Sequence, residues 1–148
     1  MKTIIKLILT VIFATTAISS QTYTKTYSLT VHVTDLKSSK GVVQFSLYNT
    51  NGTIPDEKFK KYYLQEKSKI TGNSSTITFK NLPEGEYAVS ILHDENQNGK
   101  IDKKWLYPTE GVGFSNMTSI NLLNRPNFKK TKFKVEANKQ IKIKIIYL

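Results

Sequence analysis

Apolar residues recur at every second position in at least six stretches of this chain, a period that fits strands and not helices. Leu29, Val31 and Val33 alternate with Thr30, His32 and Thr34, which predicts a strand over about Tyr27–Asp35. Ser38-Ser39-Lys40-Gly41 makes a turn, and Val43, Phe45 and Leu47 alternate through Val42–Tyr48 as the return strand of a hairpin. The same period predicts strands at Thr76–Lys80, Glu86–His93, Lys132–Val135 and Gln140–Tyr147. In Glu86–His93, Tyr87, Val89, Ile91 and His93 share one face, with Ala88 and Leu92 on the other. Asp56–Lys69 reads as one short helix or an irregular crossover. From Asp94 to about Pro126 the period is lost among Asp, Asn, Gly and Pro, and a loop of that length is usually functional or tied down. About seven strands with at most one short helix make an all-β fold, a single antiparallel two-sheet sandwich, with a small barrel as the alternative.

The N-terminus obeys a different rule. Lys2 and Lys6 precede an apolar run from Leu7 to Ala17, and the small residues Ser19 and Ser20 follow. Basic, apolar and small-residue regions in that order predict a secretory signal peptide over residues 1–20, cut after Ser19 or Ser20. The run is short for a membrane span, and no later segment is apolar enough to make one. Residues 21–148 are then one exported domain, periplasmic or extracellular. Removing residues 1–20 takes away two lysines and no acid, so the formal charge of +11 falls to +9. Export separates this basic chain from genomic nucleic acid, so no nucleic-acid partner is expected. The 148 residues include no cysteine and only two histidines, which excludes disulfides, thiolate metal sites, thiol nucleophiles and a multi-histidine metal centre.

The stretch richest in chemistry is Asp94-Glu95-Asn96-Gln97-Asn98-Gly99-Lys100-Ile101-Asp102. Oxygen-bearing side chains stand at relative positions 1, 3, 5 and 9, with glycine at 6. In a tightly coiled loop alternate residues turn inward, and a hard cation with six to eight oxygen ligands fits where they meet. The expected ligands are Asp94, Asn96, Asn98, the Lys100 carbonyl and Asp102, and the expected cofactor is Ca²⁺. Ile101 is placed to anchor the loop to the core. Position 12 is Trp105 where an EF-hand has a bidentate Glu, and the loop follows a strand, so it is not an EF-hand. A missing acid is left to Glu95, Glu110 or water. Two carboxylates among four side-chain ligands predict weak binding, with a dissociation constant of about 10⁻⁴–10⁻³ M. The competing account is an ordinary Asx-rich turn, whose side chains cap their own backbone without a metal.

Other candidates are weaker. His93 is expected to be buried with its ring bonded to the loop; as a catalytic base it would join Asp94 and Glu110 in a polar cluster, with Glu95 nearby. His32 is expected to face solvent. Trp105, Tyr107 and Phe114 offer an aromatic platform for an envelope glycan, or plugs beneath the loop. Lys130, Lys132, Lys134, Lys142 and Lys144 alternate with apolar residues near the C-terminus and predict a solvated basic face. Ser115 lies in no nucleophile motif.

Three segments together resemble a known family. Leu82-Pro83-Glu84-Gly85-Glu86-Tyr87-Ala88-Val89, then His93 to Asp102, then Pro108-Thr109-Glu110 with Gly113-Phe114-Ser115-Asn116, are similar to the bacterial domain of unknown function 2141 family. The resemblance runs over about residues 27–147 and implies an exported protein with an immunoglobulin-like or prealbumin-like sandwich and no established activity. The leading expectation is a non-enzymatic binding or structural module; an envelope-associated glycan or protein is the kind of partner that would suit it.

Overall fold

The computed structural model describes residues 24–148, and the expected leader over residues 1–20 lies outside the described residues. In chain order the elements are β1 (Thr26–Thr34), β2 (Val42–Tyr48), β3 (Leu64–Ser68), β4 (Ser75–Pro83), β5 (Gly85–Asp94), β6 (Lys103–Lys104), β7 (Tyr107–Pro108), β8 (Gly111–Phe114), α1 (Phe128–Thr131), β9 (Phe133–Val135) and β10 (Lys139–Lys144). One sheet has the order β10-β1-β4. The other runs β3-β2-β5-β8, with β9 paired to the first residues of β5. The fold is an all-β sandwich.

Its period-two strands explain the main core. Leu29, Val31, Val33, Phe79 and Ile143 from the first sheet meet Val43, Phe45, Leu47, Tyr87, Val89 and Ile91 from the second. Burying one such side chain contributes about 1.5–3 kcal/mol. The sheets are not wholly antiparallel as the alternation suggested: β1 and β10 are parallel, with Val31 beside Ile141 and Val33 beside Ile143. That pairing brings the first and last strands together and still keeps the apolar positions inward.

A second core lies on the outer face of the larger sheet. Tyr48, Ala88, Leu92, Val112 and Phe114 pack beneath Ile54, Phe59, Met117 and Phe128, with Ile101 and Ile120 at the margin. The segments after β2, β5 and β8 therefore form a covering layer. With both faces covered, β5 is buried from Tyr87 to Asp94, the burial that its near-continuous apolar sequence requires.

Three local expectations change. Asp56–Lys69 is not a helix; its last part is strand β3 on the edge of the larger sheet. The helical turn is α1, capped by the Asn127 side chain, which accepts from the Lys130 N–H at 3.0 Å. The long aperiodic region contains the β6–β7 hairpin and strand β8. β8 escapes a period-two reading because it is Gly-Val-Gly-Phe. Its glycines admit the C-terminal tail: a Cβ on Gly111 would lie 2.5 Å from the Tyr147 ring and 2.6 Å from Ile145. Among the described residues no helix is long and apolar enough to cross a membrane.

Candidate cation-binding loop

β5 delivers two polar residues in succession, and neighbouring strand residues face opposite ways. His93 points between the sheets and Asp94 to the outer face; both are fully buried. His93 Nε2 lies 2.8 Å from the Lys40 carbonyl, and Nδ1 lies 2.7 Å from the Tyr147 hydroxyl. A carbonyl only accepts, so Nε2 carries the proton. The Tyr147 oxygen already accepts the Lys37 N–H at 3.0 Å, which leaves its O–H to donate to Nδ1. This fixes a neutral imidazole with both nitrogens engaged. The ring therefore bonds to the β1–β2 turn and the C-terminal tail, not to the Asp94 loop as the sequence suggested. The expected cluster of His93 with Asp94 and Glu110 does not form, because the strand separates His93 from the two acids.

On the outer face the Asp94 carboxylate closes the loop on itself. Its Oδ1 accepts from the Asn98 N–H at 3.0 Å and its Oδ2 from the Gly99 N–H at 2.9 Å. Gly99 has a φ of +75°, which turns the chain back. Asn96 Oδ1 accepts from Asn98 N–H and Asn98 Oδ1 from Lys100 N–H. The two Asn amides both reach Asp102 Oδ2, Asn96 at 2.6 Å and Asn98 at 2.8 Å. Asp94, Asn96, Asn98 and Asp102 thus converge, and Ile101 packs at the edge of the second core as expected. Lys100 contributes its N–H to the ring of bonds while its side chain is exposed.

Glu110, buried just before β8, pinches the loop at its base. Its Oε1 accepts from the Glu95 N–H at 3.0 Å and its Oε2 from the Asp102 N–H at 3.4 Å. Burial pushes this carboxyl above the usual range; its two N–H donors oppose the rise and the Asp102 and Asp94 charges add to it. Glu95 turns elsewhere, into an ion pair with Lys37 at 2.7 Å. Of the two acids offered for the missing position, Glu110 is the one whose carboxylate is turned to the loop.

The assembled motifs match one family, described as an uncharacterized protein conserved in bacteria (DUF2141), over residues 31–144. The chain belongs to this family. No curated protein and no solved structure matches it.

In this DUF2141 chain, three residues near the loop escape a reading by motif. Lys67 on β3 brings its ammonium within 3.5 Å of Asp94 Oδ2. Gln44 on β2 lies beneath Gly99, almost fully buried, and its Nε2 has no hydrogen-bond partner. Both sit at outward positions of β2 and β3, which a period-two reading assigns to solvent. Gly41, with a φ of +74°, presses the β1–β2 turn against the loop so closely that a Cβ there would overlap the Asp94 carbonyl oxygen.

The remaining candidates of the DUF2141 chain are dispersed. Phe114 is buried in the second core while Trp105 is exposed at the turn between β6 and β7, so the three aromatics form no common platform. Ser115 is buried; its Oγ accepts from the Val89 N–H at 2.9 Å and donates to the Thr131 carbonyl at 2.6 Å. His32 is half-buried and bonds Thr76 across the strands at 3.0 Å. The lysines fall on α1, on the residue that ends it and on two different sheets, and Lys132, Lys134 and Lys144 each face an acid, so they make no continuous basic face.

Among the described residues, no three His, Asp or Glu side chains form a ready-made metal cluster. The loop's donor set is mixed: the carboxylates of Asp94, Asp102 and Glu110, with the amide oxygens of Asn96 and Asn98. An all-oxygen set of this kind suits a hard cation of irregular coordination and gives nothing to a soft metal.

Proposed function

We propose that this protein is an exported, non-enzymatic β-sandwich module whose Asp94–Asp102 loop is ordered around a calcium ion. The observation that carries the reading is the convergence of Asp94, Asn96, Asn98 and Asp102 above a buried Glu110. Three carboxylates share a small region, with one ammonium, that of Lys67, beside Asp94. Calcium would replace the Asn amide N–H groups now turned to Asp102 and would let those side chains present oxygen. The bound ion supplies charge neutralisation and stiffness; the chain's own residues supply the oxygens, and Glu110 holds the two ends of the loop together. The neutral, fully bonded His93 supports a scaffold over a hydrolytic centre.

Export rests on the residue 1–20 pattern, and intact-mass measurement of protein recovered outside the cytoplasm tests it. Cleavage near Ser19 or Ser20 is expected, and a mass that retains Met1–Ser20 would refute it. The ion is tested by thermal unfolding in chelator, in calcium and in magnesium. Calcium at 100-fold over its dissociation constant adds about 2.7 kcal/mol if only the folded state binds. That raises the melting temperature by several degrees. Magnesium should do less, because it demands a near-ideal octahedron. Identical curves in the three buffers would leave the hydrogen-bonded Asx loop as the whole account.

A further inference from the structure

Two adjoining turns hold apolar side chains out into water. In the β6–β7 hairpin, Lys104 pairs with Tyr107, and Trp105 and Leu106 form the tip. Trp105 is 90% exposed and has a φ of +62°, a conformation for which Gly or Asn is the ordinary choice. The chain's one tryptophan occupies that position instead. The second turn is Asn121-Leu122-Leu123-Asn124. The Asn121 Oδ1 accepts from the N–H groups of Leu123 at 2.9 Å and Asn124 at 2.8 Å, and the Asn124 amide ties back to the Ser119 carbonyl. Leu123 is 97% exposed at the tip of this bonded turn. A depression of 280 Å³ joins the two turns; Leu106, Tyr107, Leu122 and the C-terminal Leu148 line it, together with Arg125, the chain's one arginine.

Charge surrounds the patch with one sign in excess. Lys103 pairs with Glu57. Lys104 and Arg125 are exposed and make no ion pair among the described residues. Exposed Trp and Leu side chains between basic residues match what a membrane interface selects: apolar groups for the acyl boundary, an indole for the headgroup level, cations for anionic lipid. Side chains this exposed touch little of their own protein, and a bilayer receives such tips without needing a matched pocket. Three of the most exposed side chains, Leu106, Leu122 and Leu123, are aliphatic; they offer a sugar's hydroxyls no partner and suit acyl chains instead. We infer that the Trp105–Leu106 and Leu122–Leu123 turns dock this protein on an anionic phospholipid surface, with Lys104 and Arg125 at the headgroups. This goes beyond the calcium reading and does not depend on it.

Trp105 is its own reporter. The full chain is mixed in chelator with vesicles of phosphatidylglycerol and phosphatidylcholine, or of phosphatidylcholine alone, and tryptophan emission is followed. The expected result is a blue shift and protection from an aqueous quencher with the anionic vesicles, much reduced on pure phosphatidylcholine and at high salt. Leu123→Asp and Leu106→Asp should abolish the shift with circular dichroism unchanged, since neither side chain is packed in a core. Lys104→Gln should weaken binding about fivefold, the effect of one lost charge near an anionic surface. No shift with anionic vesicles would overturn the proposal. So would an equal shift in the two Asp variants, which would place the contact elsewhere, residues 1–20 included. A shift with soluble oligosaccharide but not with vesicles would assign the patch to a glycan and overturn it too.

Discussion

Tyr147, three residues beyond the end of β10, donates its hydroxyl to Nδ1 of His93 across 2.7 Å. With the Lys40 carbonyl on the opposite nitrogen, the ring links the β1–β2 turn, the end of β5 and the C-terminal tail. The link lies one residue before Asp94. The loop is therefore braced from the inner face by a neutral imidazole and closed on the outer face by carboxylates. A histidine that looks catalytic beside two acids is, in this geometry, a strut.

Removing that hydroxyl should be costly. Tyr147→Phe leaves His93 Nδ1 buried without a donor, a loss of about 1–3 kcal/mol. Urea unfolding should show a lower midpoint with the same slope. An unchanged midpoint would mean that the bond does not hold the tail in place.

Gly41 and Gly52 make a paired test of close approach. Both have positive φ, +74° and +78°, but a Cβ on Gly52 meets nothing within 4 Å, whereas one on Gly41 overlaps Asp94. Gly52→Ala should cost about 1–2 kcal/mol, the backbone strain alone. Gly41→Ala carries the same strain and must also push the turn off the loop, so its loss should be clearly larger. Equal losses by chemical denaturation would show that the contact with Asp94 yields freely.

Much of this architecture is legible in the sequence, for definite reasons. Leu29, Val31 and Val33, or Val43, Phe45 and Leu47, announce strands because one face of each is buried and the pleat has period two. β8 is not legible, since the partner that demands glycine at 111 is Tyr147, thirty-odd residues on and invisible to local pattern. β3 is hidden for the opposite reason: as an edge strand, Leu64–Ser68 buries too little to leave an apolar stripe. At the site, spacing alone picks out Asp94, Asn96, Asn98 and Asp102, because a coiled loop repeats in sequence. Glu110 is offered by the sequence as a further acid, but Lys67 and Gln44 come from other strands, and only the pairing of β2, β3 and β5 brings them near. Adjacency in sequence places the His93 ring at the loop, an expectation that fails because consecutive residues of a strand face opposite ways.

Ser115, which lies in no nucleophile motif, offers a test of a buried hydroxyl that serves the backbone. Ser115→Ala strips the buried Val89 N–H of its side-chain acceptor and the Thr131 carbonyl of its donor. A destabilisation of about 1–3 kcal/mol is expected. Ser115→Thr keeps the hydroxyl but adds a methyl group to a closed space, so it should recover only part of the loss. Wild-type stability in the alanine variant would free Ser115 from this role.

The last prediction concerns which acid completes the calcium loop. In the variants, the informative quantity is the difference between the melting temperatures in calcium and in chelator, not either value alone. Asp94→Ala uncaps the Asn98 and Gly99 N–H groups, so it should melt earlier in both buffers and lose the difference entirely. Asp102→Ala should weaken or abolish the difference. Lys100→Ala should preserve it, because only its backbone is asked for. Glu110 and Glu95 separate the alternatives. Glu110 accepts from both ends of the loop, and Glu95 is committed to Lys37. Glu110→Gln should therefore reduce the calcium-dependent shift, and Glu95→Gln should leave it near the wild-type value. The reverse ranking would move the missing ligand to Glu95 and require the Lys37 pair to open on binding.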